Sequence, residues 1–152
     1  MVYLQQSNIQ ITSSQDVARV FLDLLLLEDT IDREKEHFYV MHLNIKSHVK
    51  LVELVTIGVL DHALISPRET FRRAVMAGSA CIIVAHNHPS GESEPSDEDT
   101  KVTKLLFEAG QLLGIQLLDH IVFTPSAFFS FKANQIQQMT DTKTQSGGEV
   151  KR

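Results

Sequence analysis

The feature that constrains this chain most is a six-residue apolar run, residues 80–85 (ACIIVA), with a helix signature on either side. Six residues are enough for a buried strand and too few for a helix. Upstream, "SPRETFRRAVMAG" offers Ser66 as N-cap, Pro67 at the first helical position, Glu69 at the third and Gly78 as the stop. Downstream, a helix capped by Ser96 runs to about Leu113 and is ended by Gly114, with Val102, Leu105, Leu106, Ala109 and Leu113 as its buried stripe. A buried strand between two amphipathic helices commits the chain to an α/β class, in which helices cover a sheet.

The rest of the pattern sets the kind of sheet. After "TSSQD", Ser13 or Ser14 can cap a helix with Val17, Val20, Phe21 and Leu24 at i, i+3, i+4 and i+7. "EHFYVMHLNIKSHVKLVELVTIGVL" reads as a hairpin turning near Lys46 and Ser47, with Phe38, Val40 and His42 on one face of its first strand. "IQLLDHIVFT" and "AFFSF" read as two later strands. The hairpin must be antiparallel, so the expectation is a single mixed β-sheet flanked by helices rather than a doubly wound one. At 152 residues without an internal repeat, one domain is expected over residues 12–136. Residues 1–11 are then an N-terminal extension, and 137–152, which lack apolar periodicity, a disordered tail.

Composition narrows the function classes. A net charge of −5 argues against broad binding to nucleic acid. The densest basic group, Arg68, Arg72 and Arg73, is interrupted by Glu69 and reads as a solvated helix face. The longest wholly aliphatic run, Leu24 to Leu27, cannot cross a bilayer, and no leader pattern opens the sequence. The single cysteine, Cys81, excludes an internal disulfide and any cysteine-based zinc cage, and it opens a buried strand as a packing residue. A cytoplasmic, reducing setting is the expectation.

Chemistry gathers at "AHNHPSGESEPSDED". Residues i and i+2 fall on the same side of an extended chain but on opposite sides of a helix. His86 and His88 can therefore act together only at the end of the strand, where Pro89 and Gly91 supply the turn. If Ser96 caps the next helix, Asp99 stands in its first turn and the loop between folds it back toward the imidazoles. Each feature alone has a plainer meaning: a lone histidine is usually a hydrogen-bonded packing residue, and acids after a serine suit a helix start. Capping does not account for two histidines beside a Pro-Ser-Gly turn. Two imidazoles and a carboxylate suit Zn²⁺, and three protein ligands on a tetrahedral ion leave a vertex for water.

Other zinc patterns do not match. His-Glu-x-x-His on a helix is absent, and a nucleobase deaminase needs Pro-Cys-x-x-Cys. The contiguous letters His-Asn-His do not make an HNH nuclease, which spreads its residues over a hairpin and a helix. His86-x-His88, seven residues, Ser96, two residues and Asp99 resemble the JAMM (MPN-plus) metalloprotease motif at every position. With "EHFYVMHLN", "SPRETFRRAVMAGSACIIVAHNHPSGESEPSDEDT" and "LLGIQLLDHIVF", the chain resembles the RadC-like JAMM (JAB) branch from about Thr12 to Phe131. Asn87 stands where peptidase members carry Ser or Thr and is typical of that branch. The helix-hairpin-helix region of full-length members is not in this sequence.

The resemblance implies a JAMM/MPN, cytidine-deaminase-like architecture and one zinc per chain held by His86, His88 and Asp99, with water as fourth ligand. It implies Ser96 beside that water and an upstream glutamate as general base in amide, peptide or isopeptide hydrolysis. Glu36, which opens the first strand, is the favoured base and Glu53, in the second strand, the alternative, with Glu34 and Glu69 behind them. Asp119 and His120 are read as supporting residues rather than ligands, and Glu92 and Glu94 as a loop over the site. The expected partner is a peptide or protein substrate, with a homodimer left open by exposed strand edges. The rival reading is a non-hydrolytic metal-binding module in DNA repair, as the RadC name suggests, with the acidic charge against it.

Overall fold

A computed structural model describes residues 1–5, 8–58 and 65–140. Among these residues seven strands form one open mixed sheet in the order β1-β3-β2-β4-β5-β6-β7. They are β1 (Val2–Gln5), β2 (His37–Leu43), β3 (Val49–Ile57), β4 (Cys81–Asn87), β5 (Gln116–Phe123), β6 (Ala127–Ser130) and β7 (Gln135–Gln138). Three α-helices among the described residues cover it: α1 (Ser14–Leu25), α2 (Pro67–Ala77) and α3 (Asp97–Leu113). Only β4 and β5 pair in parallel; every other pairing is antiparallel. This is the mixed sheet flanked by helices that the sequence predicts.

The sheet is covered on both faces, and strand parity decides which residues see which helices. Tyr39, Met41, Leu43, Ile83, Ala85, Ile121 and Phe123 pack with the apolar stripe of α1. Phe38, Val40, Ile82, Val84 and Leu117 pack on the other face with Phe71 and Ala74 of α2 and with Val102 and Leu106 of α3. All seven residues of β2 are buried, as a strand with neighbours on both edges and helices on both faces requires. By the same parity His86 follows Ile82 and Val84 onto the α3 face. The site therefore forms between the end of β4 and the start of α3.

Several local details depart from the sequence reading. β4 runs to Asn87, two residues past the expected apolar run, because parallel pairing with β5 continues through Asn87 opposite Phe123. Ser66 holds the N-cap position by backbone geometry, but its side chain makes no capping hydrogen bond, and the capping box expected with Glu69 is absent. Glu69 binds Arg72 instead, at 2.7 Å. Leu113, assigned to the buried stripe of α3, is 49% exposed. Gly110 takes the inward place in the last turns, where a Cβ would sit 2.5 Å from the Ile115 carbonyl oxygen. Within the expected N-terminal extension, Val2–Gln5 join the sheet as β1, antiparallel to β3. The expected tail begins inside β7, whose Gln137 and Gln138 pair with Phe128 and Ala127 of β6, while residues 141–152 lie outside the described residues. The sequence QIQQ has no apolar alternation, so only backbone pairing defines β7.

Candidate metal centre

Three side chains, from β4, the turn just after it and the first turn of α3, meet at one point. His86 Nε2 lies 3.0 Å from His88 Nε2 and 3.1 Å from Asp99 Oδ1, and His88 Nε2 lies 3.0 Å from Asp99 Oδ2. His86 and Asp99 are buried, and His88 is half-buried. A tetrahedral ion with bonds of about 2.0–2.1 Å separates its ligands by about 3.3 Å. An opening of a few tenths of an ångström thus fits these donors to a small divalent cation.

The helix cap and the cluster are one arrangement. Ser96 Oγ accepts from the Asp99 amide at 3.1 Å, and Asp99 Oδ2 accepts from the Ser96 amide at 2.8 Å, the reciprocal capping box of α3. That box fixes the carboxylate whose Oδ1 faces His86. The competing plain reading of "SDED" as a helix start is therefore correct, and the same geometry aims Asp99 at the imidazoles. Burial raises the Asp99 pKa, but hydrogen bonds from His86 and His88, the His86 charge and the Ser96 amide outweigh it and hold the carboxyl well below the usual carboxylate range.

The hydrogen-bond partners assign the protons on both imidazoles. His88 Nδ1 lies 2.8 Å from the Glu92 carbonyl, which can only accept, so Nδ1 carries the proton and neutral His88 presents a bare Nε2. Thr103 Oγ1 is 2.7 Å from the Asp99 carbonyl and 2.6 Å from His120 Nδ1. The single hydroxyl proton goes to the carbonyl, so Thr103 accepts from His120 Nδ1–H. Burial first, then the neighbouring His86, hold the His120 pKa well below its ordinary value, so its Nε2 is bare. That nitrogen, 2.8 Å away, accepts from His86 Nδ1–H and leaves His86 Nε2 with its lone pair toward Asp99. When both imidazoles are neutral they and the carboxylate aim lone pairs at one point, and a proton taken up there lets His86 or His88 donate to Asp99. This arrangement favours positive charge, whether a cation or a proton. For His88, burial lowers the pKa, but the Asp99 hydrogen bond, the Glu92 carbonyl and the charges of Asp99 and Glu36 outweigh it and raise it.

The two candidate bases lie in different places. Glu36 directly precedes β2, whose Phe38 pairs with His86, and its charge acts on His88. Asn87 binds the backbone on either side of it. Asn87 Oδ1 accepts from the His37 amide at 2.6 Å and its Nδ2 donates to the Lys35 carbonyl at 3.0 Å, continuing the β2–β4 ladder with a side chain. Glu53 lies on β3, with β2 between it and β4. Its carboxylate is buried and bonded to Arg73 Nε at 2.7 Å and His42 Nε2 at 3.0 Å, and His42 Nδ1 faces Ser79 Oγ at 3.3 Å. Glu69, bound to Arg72, lies on α2, and Glu34 ends a 3-10 turn. Glu92 meets His88 through its backbone carbonyl.

Of the supporting pair, His120 touches His86, whereas Asp119 accepts from Ser130 Oγ at 2.6 Å, the His120 amide at 2.7 Å and the Lys132 amide at 3.0 Å. Burial raises the Asp119 pKa against those hydrogen bonds. Thr103 and the role of Asn87 had no signal in the sequence, since each depends on residues brought together by strand register. Among the described residues, no helix is long and apolar enough to cross a membrane.

Comparison with known proteins agrees with this geometry. The family model described as "RadC-like JAB domain" matches residues 11–136. A UPF0758 protein of Caldanaerobacter subterraneus subsp. tengcongensis is 41% identical over 132 residues, covering 87% of this chain and 54% of the relative. A UPF0758 protein of Shouchella clausii is 43% identical over 122 residues, covering 80% of this chain and 51% of the relative. One from Pelodictyon phaeoclathratiforme is 48% identical over 101 residues, covering 66% and 46%. The chain thus spans about half the length of the curated relatives it matches.

Proposed function

The chain belongs to the RadC-like JAB domain family, and on that premise we propose that it is a zinc-dependent hydrolase of amide bonds in peptides or proteins. The observation that carries the reading is the convergence of His86 Nε2, His88 Nε2 and the Asp99 carboxylate, with each far imidazole nitrogen bonded away from that point, to His120 and to the Glu92 carbonyl. A zinc ion bound by these three residues supplies Lewis acidity and a water acid enough to ionise near neutral pH.

The chain's own residues account for the remaining requirements. Glu36, whose flanking backbone Asn87 binds and whose charge acts on His88, is the proposed proton acceptor and later the donor to the leaving amine. Ser96 Oγ already accepts from the Asp99 amide, so its O–H proton is available to an oxyanion. His120 keeps the His86 proton on Nδ1, and Thr103 keeps that of His120 in place. Glu53 is proposed to stabilise the fold: Arg73 and His42 hold its carboxylate on a strand that does not touch β4.

Metal content and cleavage of a peptide library, read by mass spectrometry, test the proposal. The expected result is one zinc per chain, cleavage that disappears in Glu36→Gln with zinc retained, and loss of both in His88→Ala. Zinc binding with no cleavage of the library, or cleavage that persists in Glu36→Gln, would overturn it.

A further inference from the structure

The sheet leaves part of one strand edge open beside α3. Strand β6 pairs with Ile121, Val122 and Phe123, and the Phe131 amide donates to the His120 carbonyl at 3.1 Å, so among the described residues Gln116 to Asp119 of β5 have β4 on one side and no strand on the other. The edge is interrupted as well: the β4–β5 register steps from Leu117 to Asp119, and Leu118 bulges out of it. Next to this edge lies a mainly apolar groove of about 480 Å³, floored by Leu117, Leu118 and Phe131 and walled by Phe107 of α3. Phe107 is 43% exposed, a large apolar ring at the lip.

The solvent-facing charges among the lining residues have one sign. Lys104 and Lys132 line it and face solvent. The only acid among the lining residues is Asp119, which is buried and already accepts from Ser130 Oγ and two backbone amides. On a chain of net charge −5, a groove with two solvent-facing cations and no solvent-facing acid selects for an anionic ligand. An apolar floor selects for an apolar side chain. An open strand edge selects for an extended backbone, which can continue the ladder.

From these three features together we infer that the groove between α3 and the open edge of β5 docks an extended peptide whose apolar side chain stands next to a carboxylate. The side chain fills the space between Phe107, Leu117 and Phe131. The carboxylate lies between Lys104 and Lys132. The backbone runs along β5 in the place that β6 leaves free. The inference does not depend on hydrolysis, since none of the groove's contacts is a proposed metal ligand.

Fluorescence anisotropy tests it with a fluorescein-labelled Gly-Thr-Val-Thr-Ile-Phe peptide carrying a free C-terminal carboxylate, titrated with the full chain in EDTA so that no turnover is read. Saturable binding is expected. It should weaken at least fivefold for the same peptide ending in an amide, and at least tenfold for the Lys104→Glu, Lys132→Glu double variant. Both lysines are exposed, so circular dichroism melts of the variant should match the parent. A Phe107→Ser variant should weaken binding as much. The amide peptide with an aspartate placed before its phenylalanine distinguishes a side-chain carboxylate from a terminal one, and binding of either supports the groove. Absence of saturable binding, or less than a twofold difference between parent and double variant, overturns the inference. So does octanoate binding as tightly as the peptide, since an aliphatic carboxylate cannot pair with a strand edge.

Discussion

Replacing Thr103 by Val tests whether the proton arrangement behind His86 is functional. The substitution keeps the β-branched shape and removes one oxygen, 2.6 Å from His120 Nδ1. His120 is fully buried, so its Nδ1–H loses its acceptor. A buried donor without a partner costs about 1–3 kcal/mol. His120 avoids that cost by moving its proton to Nε2, which then points at His86 Nδ1, 2.8 Å away. His86 must respond by placing its own proton on Nε2, the nitrogen that faces Asp99. Zinc binding then has to reverse both shifts, so the same 1–3 kcal/mol appears in the affinity. At about 1.4 kcal/mol per tenfold, zinc binding weakens by about 5- to 150-fold. That agrees with the 10- to 100-fold typical of residues that orient metal ligands. Competition against a chromophoric chelator at pH 7.5 measures it, with Thr103→Ser retaining parental affinity because the hydroxyl remains. If Thr103→Val binds zinc within twofold of the parent while both melt cooperatively, the proton arrangement does not control the site.

Further perturbations address the rest of the architecture. Glu53→Gln breaks the buried contact with Arg73 and should cost about 1–3 kcal/mol, or roughly 3–10 °C in Tm, while zinc affinity stays within threefold of the parent; a tenfold loss of zinc would move Glu53 into the site. Asn87→Ala removes both bonds to the Lys35–His37 backbone, so amide exchange at residues 35–37 should accelerate with zinc affinity intact, and unchanged exchange would mean that Glu36 is placed by something else. The folded pKa of Asp99 lies below its unfolded value, so in the metal-free protein its contribution is complete above about pH 4 and is lost as pH falls below that. Melts at pH 6 and pH 3 should therefore show a smaller acid-induced drop in Asp99→Asn than in the parent; equal drops refute the linkage. Gly110→Ala improves helix propensity by about 1 kcal/mol but drives a methyl onto the Ile115 carbonyl. Net destabilisation of about 1–3 kcal/mol in urea unfolding is expected, and a stabilised variant would show that α3 can shift.

Much of the centre was legible because its spacing is local. The i, i+2 relation of His86 and His88 and the i, i+3 relation of Ser96 and Asp99 are fixed by strand and helix geometry whatever the rest of the chain does. The capped starts of α1 and α3 were legible for the same reason. Where a local signal failed, a tertiary contact had replaced it: Glu69 turned to Arg72 instead of capping α2, and Gly110 displaced Leu113 from the buried face because α3 approaches Ile115 too closely for a side chain. Strands β1 and β7 escaped notice because each is only four residues long, at either edge of the sheet.

The sequence by itself determined an α/β chain with a mixed sheet and a His-x-His pair facing a helix-start carboxylate. Only the tertiary structure decided which atoms of those residues meet and what stands behind them. His86 reaches His120 across 34 positions and Asn87 reaches His37 across 50. Contacts of that kind exist only in one register of neighbouring strands, and a slip of one residue would turn every side chain to the opposite face. Register is a property of the assembled sheet, so the Asn87 contacts beside Glu36, the proton on His86 and the open edge of β5 could not be read before the strands were paired.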